Sequence, residues 1–270
     1  KEKASKEAQE YVGHIINSYS EREGVFSPPL NTKDPIIMDF VNSFKHKDTQ
    51  DQRLCWEDVL KDLGNNKPMN RLVCGDVGFG KTEIALRASF VSVFSGQQVV
   101  VLAPTTILAN QLFHSFLSRL SDFGVSVDLL SRFSLKKKVV VERFIEKKID
   151  VLIGTSSLLF NQMILKQCGL FIVDEEHRFG VKDKELVLSL NPLVNFLSLS
   201  ATPIPRSLQL SLNSVRSLST IQTPPIERKP IISFVHSFDI SLVCRAILKE
   251  INRGGQVFIV DNSVENLKKL

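Results

Sequence analysis

The chain has 270 residues, 43% of them hydrophobic and 23% charged, a balance that supports a packed core and excludes a disordered tail. Its 34 Lys and Arg against 29 Asp and Glu leave a formal charge of +5, compatible with a polyanionic partner without establishing one. Cys55, Cys74, Cys168 and Cys244 form no Cys-x-x-Cys pair, the charged start Lys1–Lys6 has no apolar stretch behind it, and no apolar run approaches the roughly 20 residues of a membrane span. A zinc site, a signal peptide and a membrane anchor are therefore not expected, and a cytoplasmic location is. Two of the cysteines sit in apolar runs, Leu72-Val73-Cys74 and Leu242-Val243-Cys244, and read as buried, reduced thiols.

Along the chain, Ala4, Ala8, Tyr11, Val12, Ile15, Ile16 and Tyr19 recur at helical spacing and predict an amphipathic helix ending near Gly24. Pro28, Pro29 and Pro35 mark a connector. A helix fits Asp51 to Leu63, closed by Gly64-Asn65-Asn66-Lys67-Pro68. Then the chain alternates: strand Arg71–Cys74, helix Lys81–Ser95 stopped by Gly96, strand Gln98–Leu102, helix Ile107–Leu120, strand Val125–Leu130 and a basic helical segment near Lys136–Lys148. Val151–Ile153, Leu170–Val173 and Phe196–Leu199 are further strands. Most are continuous Val, Ile and Leu runs, the pattern of strands buried on both faces, so the reading is an α/β fold with a parallel sheet flanked by helices. Beyond Thr223-Pro224-Pro225 the rhythm restarts: strand Ile231–Val235, helix Ile240–Ile251, strand Val257–Val260 and a helix from Val264. The predicted organisation is residues 1–35 as N-terminal helix and connector, 36–225 as a first domain, and 226–270 as the incomplete start of a second.

Gly75-Asp76-Val77-Gly78-Phe79-Gly80-Lys81-Thr82 matches the phosphate-loop pattern G-x-x-x-x-G-K-[ST] in full, with a strand before it and a helix after it. Glycines let the backbone wrap so that its N–H groups face phosphate oxygens, and the helix start adds a favourable field for an anion. Lys81 is expected to reach the β- and γ-phosphates and the Thr82 hydroxyl to ligate magnesium, which makes ATP and Mg2+ the expected ligands. No Asn-Lys-x-Asp guanine signature is present, since Asn66-Lys67-Pro68 lacks the aspartate. Against this stands only a chance glycine-rich turn, which would have to coincide with the correct strand and helix.

Leu170-Phe171-Ile172-Val173 runs straight into Asp174-Glu175-Glu176-His177. A buried strand that delivers acids at its carboxyl end is how parallel sheets present ligands. Asp174 is assigned to the magnesium ion, and Glu175 to orienting and deprotonating the attacking water. His177 is assigned to the γ-phosphate side or to contact with the next motif.

Taken with these, several runs resemble the superfamily-two helicases: Phe44 followed by Thr49-Gln50-Asp51-Gln52, Ala103-Pro104-Thr105-Thr106, Ile153-Gly154-Thr155, and Leu199-Ser200-Ala201-Thr202-Pro203. Pro68 to Cys74 joined to the phosphate loop, Leu130-Ser131-Arg132-Phe133, Asp174 to Gly180 and Thr223-Pro224-Pro225 are similar to the bacterial transcription-repair coupling factor (Mfd) family, over essentially the whole chain. The nearest alternative is the branch-migration helicase RecG.

The resemblance implies a RecA-like phosphate-loop domain and the start of a second such lobe. It implies that Phe44 stacks on adenine and Gln52 hydrogen-bonds its edge. Thr105, Thr106, Thr155 and Arg132 would contact the phosphates of double-stranded DNA without reading sequence. Ser200 and Thr202, with His177, would couple the γ-phosphate to the DNA-facing surface. Gln50 departs from the proline usual at its place. Bland readings stand beside these: Phe44 as core, Thr105-Thr106 as a helix cap, and the lysines at 136–138 and 147–148 as a solvated face. The implied activity is an ATP-driven double-stranded-DNA translocase that displaces stalled RNA polymerase, with RNA polymerase and repair proteins engaged through domains outside these residues. Because the arginines of a second lobe are not among these residues, turnover by this chain alone is expected to be weak. The alternatives are a RecG-like fork-reversal enzyme, and an ATP- and DNA-binding fragment without appreciable turnover.

Overall fold

In the computed structural model the described residues are 24–131, 137–201, 216–226, 228 and 231–262. The helix predicted before Gly24 and the one predicted from Val264 lie outside them. The chain divides into two compact units, Lys1–Arg228 and Lys229–Leu270.

The first unit opens with helix α1 (Pro35–Asn42), which the sequence pattern does not predict: Pro35 reads as connector but sits at the first helical position, behind an Asp34 cap whose side chain accepts from the Ile36 N–H. Helix α2 (Gln50–Leu63) begins with a capping box between Thr49 and Gln52. There follow β1 (Asn70–Gly75), α3 (Lys81–Phe94), β2 (Gln98–Leu102), α4 (Thr106–Leu120), β3 (Val127–Leu130), α5 (Lys137–Ile145), β4 (Val151–Gly154), α6 (Gln162–Gln167), β5 (Cys168–Val173), α7 (Val181–Leu190), β6 (Asn195–Ser200) and β7 (Ser217–Ile221). Helices α6 and α7 and strand β7 are not among the predicted elements. The β7 sequence Ser-Leu-Ser-Thr-Ile carries three polar residues, tolerated because, among the described residues, it is an edge strand, paired only with β1.

The strands form one sheet in the order β3-β4-β2-β5-β6-β1-β7, with every pairing parallel. The continuous apolar runs have the predicted cause. Along β2, Val99 and Val101 enter one core while Val100 and Leu102 enter the other; along β5, Leu170 and Ile172 part from Phe171 and Val173 in the same way. Helices α1 to α4 cover the first face, where the Phe40 and Phe90 rings stack with centroids 4.1 Å apart. Helices α5 to α7 cover the second. Residues ahead of α1 also dock on this unit, with the Ser27 N–H on Asn66 O and the Leu30 N–H on Leu63 O.

In the second unit the described regular element is helix α8 (Ile240–Asn252). The strands predicted at 231–235 and 257–260 are not formed. A strand of a parallel sheet needs a paired neighbour and a cover on each face. These runs have no ladder among the described residues, and Phe234 and Val260 are 79% and 88% exposed. Cys244 on α8 is likewise exposed rather than buried, whereas Cys55, Cys74 and Cys168 are buried. No helix among the described residues is long and apolar enough to cross a membrane.

Candidate active site

Strands β5, β6 and β1 are consecutive in the sheet, so the turns that follow them share one edge. Register pairs Val173 with Ser198 and Cys74 with Ser200, which brings the acid box, Ser200 and the phosphate loop to adjoining strand ends. Gly78 and Gly80 adopt φ of 80° and 86°, left-handed values that glycine alone takes without strain, and α3 starts directly after Gly80.

Lys81 is buried, and its ammonium donates to the backbone oxygens of Gly75 (2.6 Å) and Asp76 (3.0 Å). Burial lowers its pKa, opposed by the charges of Glu175, Asp174 and Asp76. Asp174 shows the reverse: burial, reinforced by the charge of Glu175, raises its pKa against the Glu175 N–H and the Lys81 charge. Lys81 and Asp174 thus act on one another, and the charge of Glu175 acts on both, across the gap between β1 and β5. Glu175 has φ 53° and ψ 59°, a left-handed turn at a non-glycine residue that costs about 1–3 kcal/mol and breaks the chain sharply after the strand. His177 Nδ1 lies 3.3 Å from Glu175 Oε2.

A hard divalent cation suits this donor set. The Thr82 hydroxyl and the Asp174 carboxylate offer oxygen donors of the kind such an ion takes, and the Asp174 carboxyl is largely buried, its pKa raised first by that burial and then by the charge of Glu175. Two protein oxygens are fewer than the shell of magnesium, so phosphates and waters would complete it.

Gln52 is buried against the loop. Its Oε1 accepts from the Thr49 N–H (2.8 Å) and its Nε2 donates to Phe79 O (2.9 Å). Phe44 lies half-buried, with the guanidinium carbons of Arg87 and Arg119 at 5.4 and 5.5 Å from its ring centre. Thr105 and Thr106 follow β2 and Thr155 follows β4, on the same edge of the sheet; the Thr105 hydroxyl caps α4 through the Leu108 N–H (3.3 Å). Arg132 and Thr202 lie outside the described residues.

Motif reading missed a chain of buried charge that leaves this site. Burial pushes the Glu176 carboxyl up, but Arg216 and Lys184 outweigh it and hold the group low. Arg216 Nη1 is 2.5 Å from Glu176, and its Nη2 donates to Arg71 O (3.3 Å). Arg71 in turn pairs with Asp58 and Asp62 of α2 at 3.0 and 2.7 Å and donates to Ser219 on β7 (2.6 Å). Nothing in the spacing of these residues signals the chain, because four elements contribute to it. Arg228 was missed too: it lies against Asp76 and Phe79, although only its place just past Pro224-Pro225 sets it apart in sequence.

Residues 49–210 match the sequence profile of the DEAD/DEAH box helicases. The transcription-repair-coupling factor of Haemophilus influenzae is 41% identical over 99% of the chain, and that of Myxococcus xanthus 45% identical over 91%. The Escherichia coli protein of the same name is 41% identical over 100% of it. The chain spans 20 to 24% of the length of these three relatives. Among solved structures, that of RecG bound to a three-way DNA junction superposes with a TM-score of 0.79 at 30% identity, over 97% of this chain and 36% of RecG. The helicase MrfA shares the fold, with a TM-score of 0.62 at 14% identity.

Proposed function

The chain belongs to the DEAD/DEAH box helicase family, and from that premise we propose that it is the ATP- and magnesium-binding lobe of a double-stranded-DNA translocase in transcription-coupled repair. The observation that carries this is the placing of the phosphate loop after β1 and of Asp174 and Glu175 after β5, at the same edge of the sheet on either side of β6, where the charges of both acids act on the buried Lys81. Helicase-family membership and the coupling-factor relatives support the rest.

In this reading Lys81 exchanges the loop carbonyls for phosphate oxygens, and the N–H groups from Gly75 to Thr82 cradle the phosphates. Thr82 and Asp174 would hold magnesium, which would neutralise phosphate charge when bound. Glu175 orients the attacking water and takes its proton. Phe44 and Gln52 serve the adenine. Thr105, Thr106, Thr155 and Arg132 grip DNA phosphates, and His177, Ser200 and Thr202 relay nucleotide state to that grip. The proposal extends to displacement of stalled RNA polymerase and contact with repair proteins, through domains outside these residues, and to a cytoplasmic setting. A second reading, fork reversal, is favoured by the likeness to RecG.

The test is phosphate release from ATP with and without duplex DNA, by the unaltered chain and by Glu175→Gln. We expect slow release, raised by DNA and lowered at least about tenfold by the substitution. Release that ignores Glu175→Gln would overturn the assignment, and robust turnover stimulated by DNA would dismiss a purely binding role. Stimulation by forked but not linear duplex would favour the RecG-like reading.

A further inference from the structure

The second residue of the phosphate loop, Asp76, is an acid in a site built for anions. Its side chain is 60% exposed, yet it is not turned away from the loop: Oδ1 accepts from the Val77 N–H at 2.8 Å. A carboxylate so placed repels an incoming triphosphate and holds one of the loop's amides. The nearby Lys81 adds its charge without pairing with this carboxylate, because its ammonium donates to the backbone oxygen of Asp76.

A cation does meet that carboxylate. Arg228 Nη2 stands 3.2 Å from Asp76 Oδ2. Its guanidinium carbon lies 4.7 Å from the centre of the Phe79 ring, and a Cβ placed on Gly78 would find Arg228 Nε at 4.0 Å. One side chain therefore spans three positions of the loop. The chain leading to it is tied down. After β7, the N–H groups of Gln222 and Thr223 donate to the Asp51 carboxylate at 2.9 and 2.8 Å, and the Arg228 N–H closes a turn on Pro225 O at 3.0 Å. Asp51 sits between Gln50 and Gln52 at the start of α2, so the segment leaving the sheet is pinned beside the loop before it delivers Arg228.

We propose that Arg228 is a positioning residue of the phosphate loop: it neutralises Asp76 so that the loop accepts the phosphates of a nucleotide, and does so from the segment that leaves the first unit. This rests on the reading of Gly75–Thr82 as an ATP site. Arg228 acts through Asp76, not as a ligand of the nucleotide. A half-exposed ion pair contributes little to folding, so its loss is read in nucleotide affinity.

The experiment measures Mg-ATP and Mg-ADP affinity by titration for the unaltered chain, Arg228→Ala, Arg228→Lys and the double variant Asp76→Asn/Arg228→Ala, with thermal melts to verify folding. Arg228→Ala is expected to weaken Mg-ATP roughly three- to tenfold and Mg-ADP less, since ADP carries less charge. Added salt should narrow the gap. Arg228→Lys should retain most of the affinity. The double variant should return to within about twofold of the unaltered chain, because the amide oxygen introduced by Asp76→Asn can still accept from the Val77 N–H without repelling phosphate. Unchanged affinity in Arg228→Ala would overturn the proposal while leaving the ATP site standing. So would a double variant as weak as Arg228→Ala, the outcome for an arginine that touches the nucleotide itself. An unaltered chain that binds no Mg-ATP would overturn the ATP reading and this proposal with it.

Discussion

Gly80 joins the phosphate loop to α3 with φ 86°, and a Cβ there would clash with Gln52 Nε2. Gly80→Ala is therefore expected to lose the loop geometry and displace the Gln52 amide from Phe79 O. We expect about 1–3 kcal/mol less stability in denaturant melts, and Mg-ATP affinity that falls further than this stability loss requires. The motif in the sequence demanded glycine at this position. The part of the demand made by Gln52 was hidden, since Gln52 comes from another helix 28 positions earlier. The thiols show the same limit. Burial pushes Cys55 and Cys168 up to about 12 and Cys74 up to about 11, so these stay protonated and enclosed at mild pH. At pH 8 a thiol reagent should label only Cys244 rapidly in the native chain and all four cysteines after unfolding; fast labelling of a second thiol would contradict the buried assignments. The apolar neighbours of Cys74 and Cys244 look alike in sequence, and only the layers packed around them separate the two.

Helix and strand identity in the first unit was legible wherever local chemistry and tertiary packing agreed. Helix α2, the glycine stop at Gly96 and the Val-rich β2 all lie within a residue of where the pattern puts them. Helix α1 was hidden because its start looked like a proline connector, and β7 because an edge strand need not be apolar throughout. Contacts between elements were less legible still. Arg87 of α3 is 1% exposed, binds both oxygens of Asp48 at 2.8 and 3.0 Å, and pairs with Glu83 at 3.0 Å, while Arg119 of α4 meets Glu83 at 2.8 Å. This cluster ties the segment between Phe44 and Thr49 to α3. Arg87→Met would strand the Asp48 carboxylate and remove one cation from beside Phe44. We expect a loss of about 3–5 kcal/mol in urea unfolding; a variant as stable as the parent would show the cluster to be replaceable by packing.

For the whole molecule, the direction of the sheet and the position of its working edge could be read from uninterrupted apolar strands followed by glycines or acids. In a parallel sheet every such strand ends on the same side, so the order of motifs along the chain becomes a cluster in space. The charge chain from Glu176 through Arg216 and Arg71 to α2 could not be read, nor could the return of Arg228 onto the loop, because both depend on strand order rather than on spacing. The second unit shows the limit of periodicity from the other side: its strand-like runs form no ladder among the described residues, since pairing belongs to neighbours and not to a segment alone. The claim on which all the rest depends is that Gly75–Thr82 and Asp174 together hold ATP with magnesium. Titration of ATP with and without Mg2+, on the unaltered chain and on Lys81→Ala, tests it directly. We predict binding that needs magnesium and weakens at least about tenfold when the Lys81 ammonium is removed; binding indifferent to magnesium, or equal in Lys81→Ala, would contradict it.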